Sequence, residues 1–271
     1  MMDERTKVVE ARGYKVVKGN EIIQKARYDL SPAELKVFAF VLSKVKPTDN
    51  KDTKYQFTVN DYCDVLGIER NNGGNLQVIK KSLKTLRDTS FFLMNENGEE
   101  TTVGWLDKVW IRPKSGRIAV RLDEDLQKYV LGYLENYTQY ELICTLPMKS
   151  AYSIRIYELL KSYCFQNKNE EKKMSFHKQR EFDLEELKHK LMCDHYVRFV
   201  DFRRRVLDVA VREINLYTDL EVRWEPRKTG KRVSKIWFDI MQRDSWARLN
   251  AFQRGTKELD GQMSIFDFIK E

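Results

Sequence analysis

Apolar residues along this chain recur at two spacings, every three to four positions or every second position. The two spacings alternate in the same order twice. Leu35, Phe38, Ala39 and Leu42 form one buried helical stripe. Ser31-Pro32-Ala33-Glu34 predicts its start, with Ser as N-cap, Pro at the first helical position and Glu at the third. A short helical segment, Asn20 to Ala26, precedes it, and Tyr55-Gln56-Phe57 follows as a strand. Thr58-Val59-Asn60-Asp61 caps a helix that stops at Leu66-Gly67. After the loop Asn71-Asn72-Gly73-Gly74, a helix opens at Asn75 with Leu76, Ile79, Leu83 and Leu86 on one face. Phe91 to Met94 is a strand, and Val103 to Val109 with Ile118 to Leu122 make a hairpin.

The second pass begins near Met148. Ile154, Ile156, Tyr157, Leu159 and Leu160 mark a long helix, and Arg180-Glu181-Phe182 a strand. Asp183 caps a helix carrying Leu187 and Leu191. Residues 196–215 are expected as the next helix, with Val222 to Trp224 and Lys235 to Ile240 as closing strands. Cap Asp183 lies 125 positions after cap Thr58 (183 − 58), and Val211-Arg212-Glu213 lies 125 after Leu86-Arg87-Asp88 (211 − 86). Each pass ends in a basic hairpin tip, Arg112-Pro113-Lys114-Ser115-Gly116-Arg117 and Pro226-Arg227-Lys228-Thr229-Gly230-Lys231-Arg232. Two short helices joined by a tight turn, with a basic hairpin appended, describe a winged helix. The predicted fold class is α+β, a tandem winged-helix architecture related by internal duplication. The expected divisions are a mobile segment over 1–19, units at 20–145 and 146–245, and a flexible tail over 246–271.

At 271 residues the chain suits one large or two medium domains, and 42% hydrophobic content suffices for packed cores. The net charge of +8 and pI near 9.1 point to a polyanion, more so because cations cluster at the two tips. No apolar run reaches the ~18 residues that would span a bilayer. The charged start, Met1 to Arg12, lacks the apolar segment of a signal peptide, so the expected setting is the cytoplasm, away from membranes. Cys63, Cys144, Cys164 and Cys193 are scattered, and Cys193 with His195 offers only two ligands at poor spacing. Buried free thiols are therefore expected and a structural metal is not.

The helix from Asn75 turns Gln77, Lys80, Lys81, Lys84 and Thr85 outward, with no acid before Asp88. An unneutralised basic face suits phosphate, and Asn75 and Gln77 could read base edges; the alternative is a solvated lysine face. In the second unit Arg203-Arg204-Arg205 stand among acids. Asp201 precedes Arg205 by four, Arg204 precedes Asp208 by four, and Asp208 precedes Arg212 by four. Those are intrahelical ion-pair spacings, so part of this face could be a salt-bridged surface. The helix start, His195, Tyr196 and Arg198, is where groove contact is expected. At the second tip Arg227, Lys228, Lys231 and Arg232 crowd one turn with only Glu225 nearby. Like charges this dense are relieved by a phosphate backbone.

The chain has no Gly-x-x-x-x-Gly-Lys-[Ser/Thr] loop, which argues against a P-loop NTPase. Its three histidines (177, 189, 195) form no His-x-His pair of the kind a rolling-circle nicking enzyme uses. Nothing suggests a two-metal nuclease, so neither a catalytic site nor a cofactor is expected. Near the end, Gln262-Met263-Ser264-Ile265-Phe266 resembles the peptide that docks bacterial sliding clamps. Ile265 and Phe266 would fill an apolar pocket, Gln262 would make a polar contact, and Met263 is included in the candidate contact. The alternative is a terminal segment folding back on its own domain.

Asn20-Glu21-Ile22-Ile23-Gln24-Lys25-Ala26 and Leu30-Ser31-Pro32-Ala33-Glu34-Leu35-Lys36 resemble the start of iteron-binding plasmid replication initiators. Ser153-Ile154-Arg155-Ile156-Tyr157-Glu158-Leu159-Leu160 is similar to the segment that opens their second winged helix. The resemblance covers roughly residues 18–243. It implies monomers that bind repeated origin sequences in double-stranded DNA, and dimers, formed through the first domain, that repress their own gene. Tyr196 to Arg212 would then be the main base-reading helix with Arg227 to Arg232 as its wing, and Asn75 to Arg87 a second reader. With no ATPase of its own, such an initiator would recruit a host replicative helicase and polymerase, with the sliding clamp as a further partner. Two alternatives stay open: a tandem winged-helix transcriptional regulator without a replication role, and a nucleic-acid enzyme with an unrecognised site.

Overall fold

Local capping and turn chemistry set most element boundaries, and long-range pairing sets the rest. The computed structural model describes residues 10–70, 73–94, 98–131, 136–164 and 176–261. β1 (Lys15–Gly19) leads into α1 (Asn20–Lys25) and α2 (Pro32–Leu42). Ser31 and Glu34 close the capping box that the sequence predicts: the Ser31 hydroxyl accepts the Glu34 N–H, and the Glu34 carboxylate accepts the Ser31 N–H. β2 (Tyr55–Thr58) ends on Thr58, which caps α3 (Val59–Leu66) in a second box with Asp61. After α4 (Gly74–Asp88) come a hairpin of β3 (Ser90–Met94) and β4 (Glu100–Gly104), then β5 (Leu106–Arg112) and β6 (Arg117–Leu122). The short α5 (Glu124–Gln127) precedes β7 (Tyr137–Glu141), which pairs antiparallel with β1.

The second unit holds α6 (Ala151–Ser162), β8 (His177–Asp183) and α7 (Leu184–Lys190), capped by Asp183. A continuous helical stretch follows: α8 (Phe199–Phe202), a π segment over Arg203–Leu207, and α9 (Asp208–Tyr217). β9 (Leu220–Thr229) and β10 (Arg232–Gln242) form the last hairpin, and α10 (Ser245–Asp260) follows. The two three-stranded antiparallel sheets share one order, β2-β6-β5 and β8-β10-β9.

The duplication reaches single hydrogen bonds. Gly67 (φ 66°) and Met192 (φ 58°) end α3 and α7 in the left-handed region, 125 positions apart (192 − 67). Gly67 N–H donates to Asp64 O and Ile68 N–H to Cys63 O; Met192 N–H donates to His189 O and Cys193 N–H to Lys188 O. Past this turn the register slips. Buried Ile79 and Leu83 recur as Val206 and Ala210, 127 positions on (206 − 79, 210 − 83). The expected match of Leu86 to Val211 fails, because Leu86 is buried whereas Val211 is half-buried. The second helix also starts at Phe199 rather than at 196, because Arg198 is extended (ψ 130°) and serves as the N-cap.

α6 is shared by both units. It packs on α1, α2 and β7 on one side and on α9 on the other. Toward the first unit, Glu158 accepts from Lys18 (2.5 Å) and from the Tyr140 hydroxyl. Toward the second, Lys161 pairs with Asp219, which also accepts the Tyr157 hydroxyl at 2.9 Å. Burial pushes the Asp219 carboxyl up, but Lys161 and Tyr157 more than offset this and hold it below the usual carboxylate range. Arg155 donates to Tyr28 O (2.8 Å) and Ala26 O in the first unit and to Lys190 O (2.5 Å) in the second. One apolar core accordingly runs through both units.

Two expectations about the ends change within the described residues. β1 lies inside the stretch expected to be mobile, held by its ladder to β7. α10 lies inside the stretch expected to be a flexible tail. Asp244 caps it, Ala251, Gly255 and Leu259 are buried, and Asp260 pairs with Arg12 at 3.0 Å. A β-carbon on Gly67 would sit 2.1 Å from Leu259 O, so the end of α10 lies directly against the first unit's helix turn. Gln262, Met263, Ile265 and Phe266 lie outside the described residues.

Candidate nucleic-acid interface

The chain carries two helix-and-wing pairs. In the first, α4 is amphipathic, with Ile79, Leu83 and Leu86 buried. Gln77, Lys80, Lys81 and Lys84 stand exposed on the other side, as the sequence predicts. Lys84 pairs with Asp88, whereas Lys80 and Lys81 make no ion pair with a described residue. Asn75 departs from expectation. It is buried, and its amide donates to Glu69 O (2.7 Å) and Cys63 Sγ (3.2 Å). It holds the helix turn together from inside the fold.

The first wing turns through a single 3-10 turn, Pro113–Ser115, closed by Gly116 at φ 62°. Arg112 and Arg117 face each other across it and Lys114 sits at the tip, all three exposed. Sequence reasoning missed the sheet surface below. Trp110 lies there with Lys54 at 4.6 Å, Lys108 at 5.5 Å and Arg121 at 6.0 Å from its ring centre. A groove of about 300 Å³, lined by Lys54, Gln56, Trp110, Arg112 and Arg117, runs up to the wing. The alternation of Lys108, Trp110 and Arg112 along β5, matched by Arg117 and Arg121 on β6, was the available signal.

In the second pair, Arg203, Arg204 and Arg205 are exposed, but their partners differ from the spacing-based expectation. Arg203 pairs with Asp208 (3.2 Å), five residues on, because the π segment adds a residue to that turn. Arg204 pairs backward with Asp201 (3.7 Å), which also holds Arg198 (2.7 Å). The hydrogen bond from Arg198 leads the causes that keep the Asp201 carboxyl below its ordinary range. Arg205 and Arg212 are exposed and form no salt bridge with a described residue.

Phe199 meets Trp224 on β9 edge-on at 6.4 Å, and Arg203 lies 6.0 Å from the Trp224 ring. These contacts seat the helix start on the wing strand. Tyr196 is half-buried against Tyr152 and His195, in the turn ahead of the helix. It supports that turn rather than projecting from it. Arg227, Lys228, Lys231 and Arg232 are exposed at the second wing, which turns at Gly230 (φ 62°). Among the described residues, only Arg227 of these four has an ion-pair or ring partner, with Glu225 at 3.7 Å and the Trp237 ring at 5.1 Å.

Among the described residues no helix is long and apolar enough to cross a membrane, and no group of three His, Cys, Asp or Glu could hold a metal. The four cysteines are buried and free.

The family model described as "Initiator Replication protein, WH1" matches residues 15–161, and that described as "Initiator Rep protein, WH2" matches residues 183–240. A relative from Escherichia coli named "Replication initiation protein" is 24% identical over 231 residues, 83% of this chain and 69% of its own. The fold is similar to a solved structure described as Pi initiator protein in complex with iteron DNA. The TM-score is 0.67 and the identity 19%, over 85% of this chain and 98% of that one. With both models matched in order over most of its length, the chain belongs to the initiator replication protein family, with two winged-helix domains.

Proposed function

We propose that this chain starts DNA replication by binding repeated origin sites as duplex. In this reading α8–α9 enters one major groove and α4 another, about one helical turn (~34 Å) along. Arg198, Arg203, Arg204, Arg205 and Arg212 meet bases and phosphates in the second unit, and Gln77, Lys80, Lys81 and Lys84 do so in the first. Arg112, Lys114, Arg117, Arg227, Lys228, Lys231 and Arg232 grip flanking phosphates from the wings. Tyr196 acts by holding the turn. The reading assigns the chain no catalytic step and a cytoplasmic setting. Opening of the origin follows from deformation of an adjacent AT-rich stretch. Residues 20–145 would also form a homodimer that represses the chain's own gene. Host helicase and sliding clamp are the partners, the latter through Gln262, Met263, Ile265 and Phe266.

One observation carries the reading: both units of a replication-initiator family member present a basic helix and a basic wing, and Arg205, Arg212, Lys228, Lys231 and Arg232 form no salt bridge with a described residue. The test is binding of the full chain to duplex bearing the direct repeats that flank its gene. Affinity is expected to fall about a thousandfold between 50 and 200 mM salt, as for six or more neutralised phosphates. A plasmid carrying gene and repeats should replicate, and Arg205→Ala with Arg212→Ala should abolish it. A salt-independent affinity, or replication without the repeats, overturns the proposal.

A further inference from the structure

We infer that Val200 and Val197 read thymine, through its 5-methyl group, in the site bound by the second unit; this rests on the duplex reading above. Most exposed apolar residues need no explanation. These two differ in place and degree. Val197 is 85% exposed and Val200 66% exposed. Val200 lies on the first turn of the helical stretch 199–217, and Val197 lies in the turn just ahead of it.

The surroundings choose the occupant. Arg198 stands between the two valines, and Arg203, Arg204 and Arg205 follow within the next turn, each exposed. An apolar protein surface covering the valines would also have to cover those guanidinium groups, at a desolvation cost. The major groove of a duplex satisfies both at once, with phosphates for the arginines and, on its floor, one apolar group, the thymine methyl. A β-branched side chain has few rotamers to lose, so valine presents its methyls at little entropic cost.

The first unit offers a built-in contrast. Its helix opens at Gly74, the 127-position register sets Gly73 opposite Val200 (200 − 127), and the exposed Gln77 on its first turn is polar. A thymine-methyl preference should therefore belong to the second unit's half of the site alone.

The test uses the full chain and a 30-base-pair duplex that it enriches from a random pool, with each thymine replaced singly by uracil. That exchange removes only the methyl. Uracil at one or two positions is expected to weaken binding about three- to fivefold, the scale of one buried methyl group. Val200→Ala should lose a similar factor on the thymine duplex and become indifferent to uracil at one of those positions, and Val197→Ala at the other. Both sites are exposed, so both variants keep the fold, checked by unchanged circular dichroism. If no thymine is sensitive, or both variants stay fully sensitive, the inference falls while the duplex reading survives. If the valine variants change only self-association, the valines serve a second copy of the chain and the inference again falls. If the pool yields no preferred sequence, the duplex reading itself fails and takes this inference with it.

Discussion

The two wings are equivalent by topology and opposite in attachment. Gly116, in the first, accepts the Val59 N–H at 2.9 Å, so the tip is tied to the start of α3. Around Gly230, in the second, a β-carbon would meet nothing within 4 Å, and the tip projects at the end of a ten- and an eleven-residue strand. The helices differ in parallel. α4 carries lysines with little acid nearby, whereas Arg198, Arg203 and Arg204 at the start of the second unit's helix are held by Asp201 and Asp208. Lysine is a mobile point charge and arginine a planar fork. On the duplex reading proposed above, the first unit is thus a fixed support with diffuse charge, and the second a reaching arm with three of its forks oriented before DNA arrives.

The sharpest way to break this comparison is at the paired turns. Gly67→Ala should cost about 3 kcal/mol or more, since the new methyl strikes Leu259 O and the backbone is left-handed. Met192→Gly, at the matching turn, should stabilise slightly, by about 0.5–1 kcal/mol. Urea unfolding of both variants checks this, and equal losses would mean that the turns carry the same load. Next come the wings. Alanine at Arg227, Lys228, Lys231 and Arg232 together should weaken repeat binding about 30-fold and cut the salt slope by about 3 to 4. Alanine at Arg112, Lys114 and Arg117 should cost about fivefold. If the first wing matters more, the reaching arm is misassigned.

The smallest effect concerns Lys36, buried on α2. Burial lowers its pKa to about 7, although Glu213 of the second unit raises it; Lys149 lowers it further. The folded chain releases this proton near pH 7, while the unfolded chain keeps it up to the ordinary lysine range. Stability should therefore rise with pH from about 7 toward 10, and the burial penalty should be complete below 7. Lys36→Met should flatten that rise and add about 1–2 kcal/mol near neutrality, measured by melting across the pH range.

What could be read in advance was local. Ser31, Thr58 and Asp183 cap as expected, Gly67 ends its helix, and both basic tips are wings, because each signal sits within four residues of its effect. Partners far apart in the chain stayed hidden. β1 meets β7 with Lys15 opposite Glu141, and Arg12 meets Asp260. Asn75 looked like a base reader because spacing places it on the helix, yet tertiary contact turns it inward. The arginine pairings were misjudged for a different reason: four-residue spacing presumes a regular helix, and the π segment breaks it.

The meeting of Leu259 and Asp260 with Gly67 and Arg12 has a consequence for synthesis. A ribosome releases the first unit long before it makes residue 260. Until then the turn between α3 and α4 lacks its covering carbonyl, and Arg12 lacks its carboxylate. Nascent or prematurely terminated chains would hold that turn unfinished, so the first unit's packing is completed only when α10 is made.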